Sequence, residues 1–263
     1  MQIISSKENQ FIKHIKKLKD KKYRDINNEY LIEGIKLIKE AIQEKAPIKQ
    51  IIICDDCEKV ESIPKDLMYE IAKYECIYVT KKLFETLTNV VEPQGILAII
   101  GKSDPKQEIN YNEDIIVALD DIQDPGNLGT ILRAVDRIGL TQIIISKGTA
   151  DVFNPKVIRS SMGAIFRVKV IESEDLKQTL LEIKKHKFEL LVTSLQTKKS
   201  VYDIKYKKKI IVIGNEANGV SKEIQELSDY KIKIPMLGKT ESLNASVATG
   251  IILYEYVRQK LLK

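Results

Sequence analysis

Apolar positions change period several times along the first hundred residues. Phe11, Ile12, Ile15 and Leu18 recur at helical spacing, and Ser5 or Ser6 stands where a cap would open that helix. The pattern then predicts a strand over 30–32, a helix over 34–44, a strand over 50–53, a helix over 66–74, a strand over 76–79, a helix over 81–87 and a strand over 96–100. Strands alternating with helices describe a small α/β unit. The polar stretch 101–114, GKSDPKQEINYNED, follows neither period and reads as a connection. The expected organisation is therefore a domain over 1–101, a linker over 102–113 and a second domain over 114–263.

In that second part the strands become unbroken apolar runs, at 115–119, 142–145, 189–192, 210–213 and 231–234. Strands apolar on both faces belong to a parallel sheet covered by helices on each side. The covering helices are expected over 128–138, 155–160, 175–186, 221–227 and 244–262. Ligands of such sheets bind beyond the carboxyl ends of the strands, which directs attention to the residues that follow each run.

Composition narrows the class without naming a function. Of 263 residues, 43% are hydrophobic and 30% charged, enough apolar material for a core in each half and incompatible with a disordered or collagen-like chain. No apolar run approaches the roughly 20 residues of a membrane span. The first ten residues lack the apolar core of a signal peptide, so a cytoplasmic protein without membrane attachment is expected. Three cysteines, an odd number, then suggest reduced thiols. Cys54-Asp55-Asp56-Cys57 has a zinc-like spacing, but Cys76, His14 and His186 are scattered, and no metal site is expected.

Charge is concentrated at one end. Residues 1–24 hold eight basic side chains against Glu8 and Asp20, which accounts for the whole net charge of +6. A local basic field of this kind attracts polyanions, and Lys13, Lys16, Lys17 and Arg24 are the candidate contacts to a phosphate backbone. A second basic run, Lys198, Lys199, Lys205, Lys207, Lys208 and Lys209, is interrupted by Asp203 and suits a solvated loop.

Three loops carry the candidate chemistry. After the run at 115–119, Pro125-Gly126 turns the chain, Asn127 is placed to cap a helix, and Arg133 follows on that helix. After 210–213 comes Gly214-Asn215-Glu216-Ala217-Asn218-Gly219, whose glycines permit close backbone approach. It lacks the Lys of a P-loop, and no G-x-G-x-x-G fingerprint occurs anywhere, which removes the support for a nucleotide-dependent reductase. The third loop runs Ile234-Pro235-Met236 to Ser242-Leu243-Asn244, then opens a helix with the small residues Ala245, Ser246 and Ala248. With neither histidine near these loops, a site must be made from Asn, Arg, Glu, Ser and backbone groups.

Taken in order, these loops resemble the three motifs of the SpoU-type (TrmH-like) RNA ribose 2′-O-methyltransferases of the SPOUT superfamily. The pattern N-x-G-x-x-x-R-A stands as Asn127 to Ala134, G-x-E-x-x-G as Gly214 to Gly219, and I-P-M with S-L-N-x-S-x-A as Ile234 to Ala248. The first hundred residues, through Tyr30-Leu31-Ile32-Glu33-Gly34 and Glu92-Pro93-Gln94-Gly95-Ile96, resemble the family's small ribosomal-protein-like substrate-binding domain. The resemblance implies an α/β fold with a deep trefoil knot in the C-terminal domain. It also implies a homodimer with active sites at the subunit interface.

By the same resemblance, S-adenosylmethionine would lie against Thr193, Ser194, Leu195, Gly214, Asn215, Gly219, Ile234, Met236 and Leu243. The catalytic set would be Arg133, Asn127, Glu216, Ser242 and Asn244, acting on a ribose 2′-hydroxyl of structured RNA, ribosomal RNA before tRNA. A guanidinium is a poor base, so Arg133 is expected to position a phosphate and stabilise a developing alkoxide. The alternatives are a catalytically inactive RNA-binding relative and a tRNA 2′-O-methyltransferase.

Overall fold

A computed structural model describes residues 3–102 and 108–262. The chain divides into two compact units, one over 1–104 with 153–166, the other over 105–152 with 167–263. In the first, β1 (Ile3–Ile4), α1 (Gln10–Lys17), α2 (Lys21–Asn27), β2 (Glu29–Glu33), α3 (Ile35–Gln43) and β3 (Ile48–Cys54) lead to α4 (Glu58–Glu61), α5 (Lys65–Ile71), β4 (Cys76–Val79), α6 (Lys81–Phe84) and β5 (Ile96–Gly101). Their sheet has the order β1-β4-β3-β5-β2. β1, β4 and β3 run parallel, and β5 is antiparallel to both its neighbours.

The second unit holds β6 (Ile115–Asp120), α7 (Pro125–Arg137) and β7 (Gln142–Ser146). After α8 (Pro155–Ser161) come β8 (Lys169–Ser173), α9 (Leu176–Lys184), β9 (Glu189–Thr193), β10 (Lys209–Gly214), α10 (Lys222–Leu227), β11 (Tyr230–Ile232) and α11 (Ala245–Leu261). The sheet is parallel throughout, in the order β11-β9-β10-β6-β7-β8. Alternation along β6 divides the core. Ile116 and Ala118 join Leu180, Ile183 and Ile224 of α9 and α10 on one face. On the other, α7 and α11 pack together and bury Leu128, Ile131, Leu132, Ile252 and Leu253. Apolar side chains are thus withdrawn from water on both faces, which is why these strands read as unbroken runs.

Several expectations need correction. The basic N-terminal helix is two helices: Asn9, not Ser5 or Ser6, caps α1 by accepting the Phe11 N–H, and Asp20 caps α2. β8 escaped notice because Lys169 and Glu172 interrupt its apolar residues, and as the last strand of the sheet it is covered less completely. α8 packs with the first unit through buried Ile158 and a Tyr30–Phe153 ring contact at 4.5 Å, a long-range choice that sequence order does not reveal. Cys54 and Cys57 are joined by a disulfide, not reduced. The turn Asp55-Asp56 between the end of β3 and α4 brings their α-carbons to 5.5 Å. Of the expected linker, 103–107 lie outside the described residues. Beyond them Asn110 exchanges two hydrogen bonds with the Gln142 side chain, at 2.8 and 2.6 Å, and is thereby tied to the second unit.

Arg24 is not an RNA contact. It is 4% exposed, and its Nη1 donates to the carbonyls of Leu18 and Lys19 at 2.9 and 2.7 Å, closing the end of α1. Lys13, Lys16 and Lys17 do reach solvent, Lys13 paired with Glu8 at 2.6 Å and Lys17 5.4 Å from the centre of the Tyr23 ring. Arg24→Ala is expected to lower stability by about 2–3 kcal/mol in denaturant unfolding, the range for buried hydrogen bonds from a charged group, and to leave RNA affinity unchanged at matched folded fraction.

Candidate active site at the strand ends

β6 and β10 are hydrogen-bonded neighbours in register from Ile115↔Lys209 to Asp120↔Gly214. The loops that follow them must therefore leave the sheet side by side. Asp124 caps α7, accepting the Asn127 N–H at 2.8 Å, with Pro125 in the first turn where its missing N–H costs nothing. Asn127 is not the cap, as expected from sequence, but a residue of the first turn, and it is 8% exposed. The Asp-Pro pair was the signal for this earlier start.

Asn127 joins the three loops. Its amide nitrogen donates to Glu216 Oε1 at 2.9 Å, and its amide oxygen accepts from Asn244 Nδ2 at 2.8 Å. Asn244 in turn caps α11 through the Ser246 and Val247 N–H groups. Glu216 also accepts the backbone N–H of Gln123 and of Asp124, each at 3.2 Å. Partial burial pushes the Glu216 carboxyl up, but the Asn127 amide and the surrounding backbone N–H groups outweigh it and hold the carboxyl below the usual range.

Asn215 makes a parallel set of ties. Its Nδ2 donates to the Asp121 carbonyl at 2.8 Å, and its Oδ1 accepts from Ala217 and Asn218 N–H. Asp121 pays for its place in the turn with a φ of 61°. Asp120, not anticipated from sequence, accepts the Ser221 N–H at 2.7 Å and fixes the far end of the Gly214–Gly219 loop. A Cβ on Gly214 would lie 2.1 Å from the backbone of Gly219 and Val220. The close approach that demands glycine here is made by the protein's own chain.

The remaining candidate residues line neighbouring strand ends. Thr193 is in register with Ile232, and the Ser194 N–H donates to the Ile232 carbonyl at 2.9 Å. Beyond these ends Ile234 and Met236 are half-buried, Leu243 is 37% exposed and Leu195 62% exposed. Apolar side chains left uncovered beside backbone polar groups suit a ligand with an aromatic base and an uncrowded alkyl sulfur, so the residues present fit S-adenosylmethionine.

Two predicted residues stand apart from the relay. Ser242 is exposed. Arg133 is also exposed, and makes no ion pair among the described residues. Six residues separate it from Asn127, roughly 9 Å along α7 and about 120° around it, so one points into the protein while the other points out.

The fold and site define an α/β protein with a parallel-sheet domain, three polar loops linked at its strand ends, and a separate mixed-sheet unit. The model of the SpoU rRNA Methylase family matches residues 114–254, and that of the MRM3-like substrate binding domain matches 9–98. The chain belongs to the SpoU rRNA methylase family. It is 33% identical over 97% of its length to the Bacillus subtilis 23S rRNA (guanosine(2553)-2'-O)-methyltransferase RlmP, covering 98% of that protein. Among solved structures, the SpoU methyltransferase AviRb from Streptomyces viridochromogenes in complex with AdoMet matches with a TM-score of 0.87 at 26% identity, over 97% of this chain and 99% of that one. The A. aeolicus TrmH/SpoU tRNA modifying enzyme matches over 57% of this chain and 77% of its own, at 34% identity and a TM-score of 0.51.

Asn127→Ala removes a donor from Glu216 and is expected to raise the Glu216 titration midpoint, measured by carboxyl-carbon NMR. The sign follows from linkage. A depressed folded-state pKa stabilises the protein fully above the unfolded value and loses that contribution as pH falls through the folded one. Acid unfolding of the variant should therefore depend less on Glu216 than that of the parent.

Proposed function

We propose that this protein methylates a ribose 2′-hydroxyl in ribosomal RNA, using S-adenosylmethionine as the donor. The observation that carries the reading is the Glu216–Asn127–Asn244 chain, which links all three motif segments at neighbouring strand ends. The donor supplies a methyl carbon bonded to a positively charged sulfur. Thr193, Ser194, Leu195, Gly214, Asn215, Gly219, Ile234, Met236 and Leu243 would hold it.

Arg133 acts on the RNA: its guanidinium pairs with a phosphate beside the target ribose and stabilises negative charge growing on the 2′-oxygen as the hydroxyl proton passes to water. Asn127, Glu216 and Asn244 keep the loops in one arrangement, and Ser242 orients the ribose. Placement of the hydroxyl is the main contribution, since holding reactants in line replaces a bimolecular encounter.

The active unit is a homodimer in which Arg133 serves the strand-end site of the other subunit. Its direction away from its own Asn127 supports this. So does a stripe of exposed apolar residues on α11, Val247, Tyr254 and Leu261, spaced seven apart so that they share one face. The strand order, with β10 between β6 and β9 and β11 beyond β9, supports the trefoil knot of the C-terminal segment. Domain limits of 1–101 and 114–263, with 153–166 lent to the first unit, RNA contacts at Lys13, Lys16 and Lys17, and action in the cytoplasm complete the reading. Ribosomal RNA is favoured over tRNA because the near full-length relative is named for 23S rRNA, whereas the tRNA-modifying structure covers 57% of the chain. No described helix is long and apolar enough to cross a membrane.

Comparing methylated riboses in ribosomal RNA from cells with and without the protein tests the activity, and a position that loses its methyl group is the expected result. Arg133→Ala should lower turnover by about 10²-fold or more while S-adenosylhomocysteine affinity by calorimetry stays within about threefold. Near-parental turnover for Arg133→Lys with unchanged pH dependence would overturn its role. Light scattering should show twice the 30.0 kDa chain mass, and a lone 30.0 kDa species would remove the dimer.

A further inference from the structure

The second basic run is not a uniform solvated loop. Lys199 lies 3.9 Å from the centre of the Tyr230 ring, Lys208 4.5 Å from that of Phe188, and Lys209 pairs with Glu189. Lys205 and Lys207 are exposed, make no ion pair among the described residues, and line a cavity of about 530 Å³ with Tyr202, Tyr256, Arg258 and Lys260.

The cavity wall is firmly built. Gln259 Nε2 donates to the Ile204 carbonyl at 2.7 Å, Gln259 Oε1 accepts the Tyr206 N–H at 3.2 Å, and the buried Tyr206 hydroxyl donates to the Val201 carbonyl at 2.9 Å. The two Gln259 bonds clamp 204–206 onto α11, and the Tyr206 hydroxyl ties Val201 to the same segment. The acidic groups are less available than the basic ones. Asp203 accepts the Ser200 N–H at 2.8 Å in a capping box, which leaves Asp114 as the acidic side chain of the lining without such a tie. Arg258 is paired with Glu255, while Lys260 sits 5.6 Å from the centre of the Tyr256 ring with no carboxylate partner among the described residues. The lining therefore presents three exposed ammonium groups without a carboxylate partner among the described residues, Lys260 resting near the Tyr256 ring, beside a second aromatic ring, Tyr202, that is 54% exposed.

This place is separate from the strand-end site. Asp114 immediately precedes β6 and Lys207 lies two residues before β10, at the opposite end of the sheet from Asp120 and Gly214. α11 spans the interval, about 25 Å for its length at 1.5 Å per residue. At 100° per residue, Tyr256, Gln259 and Lys260 lie on the other side of α11 from the Val247–Tyr254–Leu261 stripe, so a second copy docked on that stripe does not rest on them.

We infer that this cavity binds an unpaired RNA strand, with Lys205, Lys207 and Lys260 on successive phosphates and Tyr202 stacked on a base. Spaced ammonium groups next to an exposed aromatic ring match a phosphodiester backbone carrying open bases, the pattern of strand-binding grooves. The site deepens the RNA-methylating reading: it would hold a stretch of the substrate remote from the modified ribose.

The test uses full-length protein, a fluorescein-labelled single-stranded 12-mer of mixed sequence, and anisotropy titrations from 50 to 300 mM KCl. Combined Lys205→Ala, Lys207→Ala and Lys260→Ala substitution should weaken binding at least tenfold at ~100 mM salt and reduce the slope of log affinity against log salt by about 2, three contacts at about 0.7 each. Tyr202→Ala should weaken binding about tenfold, with Tyr202→Phe restoring it, because the ring and not the hydroxyl stacks. Lys198→Ala, from the same run but outside the cavity lining, is the control and should change the slope little.

An unchanged slope in the triple variant, with a melting temperature equal to the parent's, overturns the inference. So does displacement of the 12-mer by uridine monophosphate at equal concentration, which would make the cavity a mononucleotide site. S-adenosylhomocysteine calorimetry on the same samples separates the two ideas. Failure to bind it counts against the methyltransferase reading alone, and normal binding with an unchanged salt slope counts against the cavity alone.

Discussion

Asn127 is an amide between two other chain segments, giving through its nitrogen to Glu216 and receiving through its oxygen from Asn244. An asparagine amide carries a donor and an acceptor on one rigid plane at the end of a short side chain, where glutamine would reach one methylene further. Because it is nearly buried, leaving either end unpaired would carry the full cost of removing a polar group from water. The loops after β6 and β10 and the start of α11 are consequently held in one relative arrangement before any ligand arrives.

That arrangement has a chemical consequence. Methyl transfer to a hydroxyl needs the reactants held in line as well as one proton removed, and a site made of amides, a carboxylate and backbone N–H groups is suited to the first of these demands. Glu216 illustrates the economy of the design. Its carboxylate is committed to Asn127 and to the backbone of the neighbouring loop, which makes it a brace for the site. Arg133 is the contrasting case, an exposed cation on the outer side of α7 that makes no ion pair among the described residues.

The two basic runs show how charge counting misleads until partners are known. In the N-terminal cluster Arg24 turns inward to close a helix, and Lys19 donates to the carbonyls of Thr86 and Thr88. In the second run half of the lysines are engaged by rings or by Glu189. Potential contacts with a polyanion are those left over after internal hydrogen bonds and ion pairs have been made, and composition does not reveal which these are.

Much of the architecture was legible in the chain. The unbroken apolar runs at 115–119 and 210–213 marked parallel strands because burial on two faces removes any alternation, and the motif loops followed them directly. The order of Asn127, Glu216 and Asn244 along the chain likewise pointed to one site, though not to their bonds. Tertiary structure alone decided the rest: that β6 and β10 are neighbours, that α8 packs with the first unit, that Gly214 makes room for its own loop, and that Arg24 lies inside. Each of these depends on which distant residues meet. Local periodicity reports only whether a side chain seeks water or avoids it, whereas the identity of the partner is set by how whole elements pack.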